Sequence, residues 1–225
     1  GTWTNASTSA SWSFAAPITF NGGANLTMTF AGTNLAGNEF DAVTFNSTAA
    51  ITYTMATRGL RLGGALSITD TLTTVGLTTS NLAVTAGSIT IGTNGTITAG
   101  SSTITLGGTG TVWTSTSGTF TSGTSTVVAS TTSTITSGTS FFNFTTNAGL
   151  TVTFSSGLTF TGAFTANNAT VAITGDVSVN AVGAYIDFST SSWTVTGSWT
   201  NSSTSASWDA GSATVTFTSA TGGTM

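Results

Sequence analysis

The chain has 225 residues and a formal net charge of −4, with two Arg and no Lys, His or Cys. So few cations leave almost nothing to neutralise a phosphate backbone, which argues against a nucleic-acid partner, and the lack of Cys removes disulfides, metal thiolates and thiol chemistry together. No run of about twenty apolar residues occurs, so no membrane-spanning helix is expected, and any signal peptide is expected to have been removed or to lie outside this stretch.

Thr and Ser together account for 88 residues and Gly for 28. Such a composition could belong to a disordered linker, but 38% hydrophobic residues, with 14 Phe and 6 Trp, suffice for a core. A Thr/Ser/Gly-rich, Lys-free, weakly acidic surface points to an extracellular or cell-surface location. Helix formers on a 3.6-residue stripe are missing, and β-branched residues dominate throughout.

In chain order, Gly1–Trp12 reads GTWTNASTSASW. Short period-2 strands follow at Ile18–Phe20, Leu26–Phe30, Val43–Phe45 and Ile51–Met55, with apolar residues facing one way and Thr the other. Residues 58–87 carry both arginines and three short Leu- or Val-bearing strands. From residue 88 the expected strand centres are Ile89, Ile97, Ile104, Val112, Phe120, Val127 and Ile135. Steps of seven or eight residues are too short for ordinary hairpins and suit a coil that bends after each strand. Three such steps give about 23 residues, one rung of a three-sided parallel coil with strands stacked at roughly 4.8 Å. From Phe141 the pattern turns aromatic, with single strands expected at Phe141–Phe144, Leu150–Phe154 and Leu158–Phe160. Gly197–Trp208 then reads GSWTNSSTSASW, matching Gly1–Trp12 at ten of twelve positions with an offset of 196. Val215–Phe217 likewise aligns with Ile18–Phe20 after a one-residue slip.

The reading is an all-β parallel β-solenoid, three-sided and β-helix-like, as a single unit over 1–225. Residues 1–87 form its less regular part and 88–225 its more regular rungs, with Trp-containing units starting near 1, 110 and 197. The alternative is a pair of tandem antiparallel β-sandwiches, which want turn signals every 8–12 residues. The Trp strand, the Gly-x-x-Thr-Val strands (Gly123–Val127, Gly211–Val215) and the Phe/Asn strands (Phe40–Asn46, Phe141–Asn147), in a Thr/Ser/Gly background, resemble the long repetitive secreted β-solenoid proteins of bacterial and archaeal cell surfaces. That resemblance covers essentially the whole chain and implies structural or adhesive surface work.

Few residues offer chemistry. A Ser or Thr nucleophile has no His or Lys to activate it. Glu39 and Asp41 project from one face if extended, as a general acid–base pair would, but solubilising a loop is the simpler role. Arg58, Arg61 and Asp70 are read as a surface ion pair before a substrate clamp. Six scattered acids cannot build repeated calcium sites. No catalytic, cofactor or metal residue is assigned. Seven Asn-x-Ser/Thr sequons, at Asn5, Asn25, Asn46, Asn94, Asn143, Asn168 and Asn201, are candidate N-glycosylation sites. Thr-x-Thr triplets are abundant, yet their irregular sequence spacing favours strand filler over an ice-matching lattice. Trp3 and Trp199 alternate with hydroxyl neighbours as core residues do.

The functional expectation is a non-enzymatic subunit of an extracellular filament or cell-surface fibre. Unpaired strand edges at uncapped solenoid ends template a further copy, giving a head-to-tail homopolymer, with Trp3, Trp12, Trp199 and Trp208 marking the assembly ends. Alternatives are an adhesin or glycan-binding stalk, an ice-binding protein, and a polysaccharide-degrading β-helix enzyme.

Overall fold

The structure, a computed structural model, describes residues 1–6, 14–30, 40–115 and 117–218. It is a parallel β-solenoid of about nine turns with about 22 residues per turn. All strand pairings among the described residues are parallel, which excludes antiparallel sandwiches.

One turn illustrates the winding. Ser88–Ile91 lies on a ten-stranded face, Gly95–Thr98 on a six-stranded sheet and Thr103–Leu106 on a seven-stranded one. The chain then returns to the ten-stranded face with Gly110–Ser115. Past Thr119–Thr121 the six-stranded ladder is interrupted, and a four-stranded sheet running from Ser140–Phe141 to Trp199–Asn201 takes the same place in the turn. These two sheets together form the first face, with ten levels. The second face is the ten-stranded sheet. The third has seven strands, extended by single bridges at Phe14, Phe40 and Asp209.

Alternation turns every second side chain inward, and parallel register stacks those side chains into columns. Along the second face one column runs unbroken through Ile18, Val43, Leu66, Ile89, Trp113, Ile135, Phe154, Ile173, Val195 and Phe217. A matching column on the third face runs Leu60, Val84, Ile104, Val127, Phe144, Phe164, Ile186. Turn length varies, from 27 residues between Leu26 and Tyr53 to 17 between Val127 and Phe144. The corners absorb the difference, so the columns stay aligned.

Three local expectations need correction. A register shift between Thr111 and Trp113 places Trp113, rather than Val112, opposite Ile89 and Ile135. The bulge leaves both side chains fully buried. The aromatic run at 141–144 is two strands, Ser140–Phe141 and Asn143–Thr146, because the chain turns a corner at Phe142. Phe141 and Phe144 thereby enter the core from adjacent faces, with ring centroids 5.3 Å apart. Residues 58–87 hold four strands rather than three, the extra one being the two-residue Leu60–Arg61.

Corners are built on left-handed backbone. Asn81, Gly100 and Gly123 occupy it at successive levels where the chain passes from the first face to the third, with φ of 64°, 59° and 57°. A different corner depends on Asp70. Its carboxylate accepts N–H bonds from Leu72 at 2.6 Å and Thr73 at 3.0 Å, and from Ser47 of the preceding turn at 3.0 Å. These amides, chiefly Leu72 and Thr73, lower the Asp70 pKa below its ordinary 3.8. A carboxylate depressed in the folded state stabilises the fold above its unfolded pKa, and that contribution is lost as pH falls through the folded value. Thermal melts of the parent chain should therefore show a midpoint that drops on acidification below about pH 4. Asp70→Asn should melt lower at neutral pH and show a shallower acid limb. Parallel pH profiles for the two proteins would contradict this role for Asp70.

Candidate functional site

The duplicated sequence recurs as duplicated structure. Thr2–Asn5 and Trp199–Asn201 are the two outermost strands of the first face, and Ile18–Gly22 and Thr214–Phe217 are the two outermost strands of the second. Among the described residues between these strands, Phe14 at one end and Asp209 at the other make a bridge on the third face. Even the ring geometry repeats. Trp3 meets Phe20 edge-on with centroids 5.8 Å apart at 86°, and Trp199 meets Phe217 at 6.3 Å and 73°. The two ends of the described coil thus carry matching strands in the same phase of the winding, each presenting the opposite edge of the sheets.

Both edges are apolar and concave. At the C-terminal end a cavity of about 400 Å³ is lined by Phe188, Trp199, Asn201, Trp208, Val215 and Phe217. Trp199 lies 6.2 Å from Phe188 and 6.0 Å from Trp193, so it covers the core while staying half-buried. Trp208, also half-buried, donates its ring N–H to Ser203 Oγ at 3.3 Å. At the N-terminal end a smaller cavity of about 260 Å³ includes Phe20, Leu26 and Tyr53, and Phe14 is 47% exposed. Trp3 packs there against Phe30 and Phe40 at 5.4 and 5.9 Å. Trp12 lies outside the described residues.

Tyr53 ties this N-terminal edge together, a role for which the sequence offered no signal. Its hydroxyl lies 2.8 Å from the carbonyl of Asn46 and 3.1 Å from that of Phe20, and accepts the Gly22 N–H at 3.1 Å. Burial pushes its pKa up.

The sequons are not brought together. Asn5 is 7% exposed and Asn201 is exposed, although they match in the duplicated unit. Asn5 is paired with Phe30 in the next strand, whereas Asn201 lies on the outermost strand of its sheet. Most of the others clamp backbone. Asn25 Oδ1 accepts from Thr52 N at 2.9 Å, Asn46 Oδ1 from Ser47 N at 2.7 Å, and Asn143 Oδ1 from Ala163 N at 2.7 Å. Asn94 donates to the Asp70 carbonyl at 3.4 Å, and Asn168 Oδ1 accepts from Ser189 Oγ at 2.7 Å and Thr190 N at 3.2 Å.

Of the carboxylate pair, Asp41 is exposed at a turn and Glu39 lies outside the described residues. Asp70 is 3% exposed and committed to backbone amides at a corner between the second and first faces, whereas Arg61 lies on a third-face strand. Arg58 sits over the Phe30 ring at 5.5 Å. No group of three metal-ligating side chains occurs among the described residues, and no described helix is long and apolar enough to cross a membrane.

The Thr-x-Thr triplets gain an order that the sequence hides. Thr2, Thr27, Thr54, Thr78, Thr98 and Thr121 stand in register, one on each strand of the six-stranded sheet. A second Thr two residues away accompanies five of them, at Thr4, Thr29, Thr52, Thr96 and Thr119. Uneven corners give uneven sequence spacing, but the strands themselves align.

No protein-family model matches this chain, and no curated protein or solved structure does.

Proposed function

We propose that the chain is a non-enzymatic structural unit of an extracellular filament or cell-surface fibre, its units following one another head to tail along the solenoid axis. The observation that carries this reading is the identity of the two ends in sequence, face, phase and ring packing. An edge strand offers unpaired N–H and C=O groups, and a complementary edge on another copy is the natural partner. A heterologous contact of this kind does not close, so it propagates. Sedimentation and electron microscopy over a concentration series test it. Fibres of uniform width that lengthen with concentration are expected, and monomeric rods at every concentration would contradict it.

A glycan-binding stalk draws little support from the aromatics, since Trp113 and Trp193 are fully buried and Trp3, Trp199 and Trp208 pack on the core. Ice binding is the second reading, supported by the in-register Thr column. A rigid sheet spaces those hydroxyls and methyls at about 4.8 Å across strands, a regular array on which water can order. Thermal hysteresis in the parent chain that vanishes in Thr54→Lys/Thr78→Lys would favour it. A freezing point no different from that of an inert protein at equal concentration would dismiss it.

A further inference from the structure

We infer that a second copy of this unit docks on the C-terminal edge with the duplicated strands in register. Trp199 then lies on Trp3, Thr200 on Thr4 and Asn201 on Asn5, while Val215 lies on Ile18 and Phe217 on Phe20. This inference rests on the head-to-tail reading above and adds to it the surface, the phase and the register.

The phase follows from the winding. Each turn passes from the second face to the first and then to the third. The last described strand, Thr214–Phe217, belongs to the second face and the first, Thr2–Asn5, to the first face. The N-terminal edge of a second copy therefore supplies the element that comes next in the winding. All three faces meet their own kind: Trp199–Asn201 meets Thr2–Asn5, Thr214–Phe217 meets Ile18–Gly22, and the level of Asp209 meets that of Phe14.

The register follows from the columns. Within the chain, Trp193 on Val215 and Val195 on Phe217 stack inward residue on inward residue. A slip of one residue at the junction turns Trp199 onto an outward Thr and exposes the apolar edge. A slip of two sets Trp199 on Asn5 in one direction, an amide against an indole, and on Gly1 in the other, where no side chain covers the ring. In register, the pairs are Trp on Trp, Thr on Thr and Asn on Asn, the like-on-like ladder that stabilises stacked identical strands. On the second face Phe217, which closes the Ile18 column within its own copy, steps one inward position at the junction and meets Phe20, whose ring already stacks on Phe45 at 5.3 Å and 23°. The cavity of about 400 Å³ beside Trp199 then receives the rings and aliphatic side chains of the N-terminal edge.

The chain has no Cys, so introduced thiols report contacts cleanly. Thr2, Thr4 and Thr200 are all exposed. In the proposed register, Thr4 and Thr200 of successive copies stand about 4.8 Å apart between Cα atoms, within disulfide reach. Thr2 and Thr200 are then separated by a further two residues along the strand, about 8 Å apart and beyond bridging range. Thr4→Cys/Thr200→Cys, oxidised with copper phenanthroline, should give a denaturant-resistant ladder of covalent multimers. Thr2→Cys/Thr200→Cys should give at least tenfold less. Within one copy, residues 4 and 200 sit at opposite ends of the coil, so an intramolecular bond cannot mimic the result. Each reduced variant is sedimented beside the parent chain to establish that it assembles alike. Assembly with cross-linking through the Thr2 pair, or through neither, overturns the register while leaving the filament reading intact. A parent chain that stays monomeric at every concentration overturns both.

Discussion

Replacing Trp193 by alanine is expected to lower the unfolding free energy by about 3–5 kcal/mol, the usual range for truncating a fully buried aromatic whose site cannot collapse. Trp193 is completely buried and sits among Phe164 at 4.9 Å, Phe188 at 5.2 Å and Trp199 at 6.0 Å. Its ring N–H donates to the buried Ser191 Oγ at 2.7 Å. In a solenoid each turn is stabilised mainly by its neighbours, so the damage should stay local. Amides of Trp199–Asn201 and Thr214–Phe217 should exchange with solvent much faster, while those of Ser88–Ile91 and Thr103–Leu106 keep their protection. Uniformly faster exchange along the coil, or a loss below about 1 kcal/mol, would contradict this picture of nearest-neighbour stability.

The corner at Gly123 should be nearly as sensitive. Its φ is +57°, and a Cβ there would lie 2.4 Å from the carbonyl oxygen of Gly100 in the turn before. That neighbour is backbone, fixed by its own level, so it cannot yield as a flexible side chain would. Gly123→Val should cost about 3 kcal/mol or more, combining left-handed strain with overpacking. Gly107 provides the control. A Cβ there meets Ser130 Oγ at 3.8 Å and the Ala86 carbonyl at 3.9 Å, both ordinary contacts. Gly107→Ala should stay within about 0.5 kcal/mol of the parent in urea melts. Equal losses at the two positions would mean that the corner stack is not what constrains Gly123.

The repeating coil was legible in residues 88–136 because each strand there is short, carries a β-branched or aromatic centre and ends in Gly, Ser or Asn. All seven expected centres fall inside strands. Legibility failed where one stretch serves two faces. On a single strand Phe141 and Phe144, three residues apart, would point to opposite sides, but a corner at Phe142 sends both into the core from different faces. It failed again at Val112 and Trp113, where a bulge makes two adjacent residues point inward. The Thr column of the first face was hidden because its members are separated by unequal corners, and only strand pairing aligns them. Asp70 illustrates a further limit: one of its partners is the backbone N–H of Ser47, 23 residues earlier, and backbone amides leave no trace in a sequence. The ends were easier. The repeated GTWTNASTSASW and GSWTNSSTSASW are plain in the residues, but their common face and phase emerge only once the winding is known.

Helical reconstruction of assembled protein by cryo-electron microscopy tests the continuation of the coil most directly. Ten levels per unit at about 4.8 Å each predict an axial rise on the order of 50 Å, with the strand spacing running unbroken through the junction and Trp199 beside Trp3. A junction with a gap in that spacing, units packed side by side, or ends from opposite phases of the winding would contradict it.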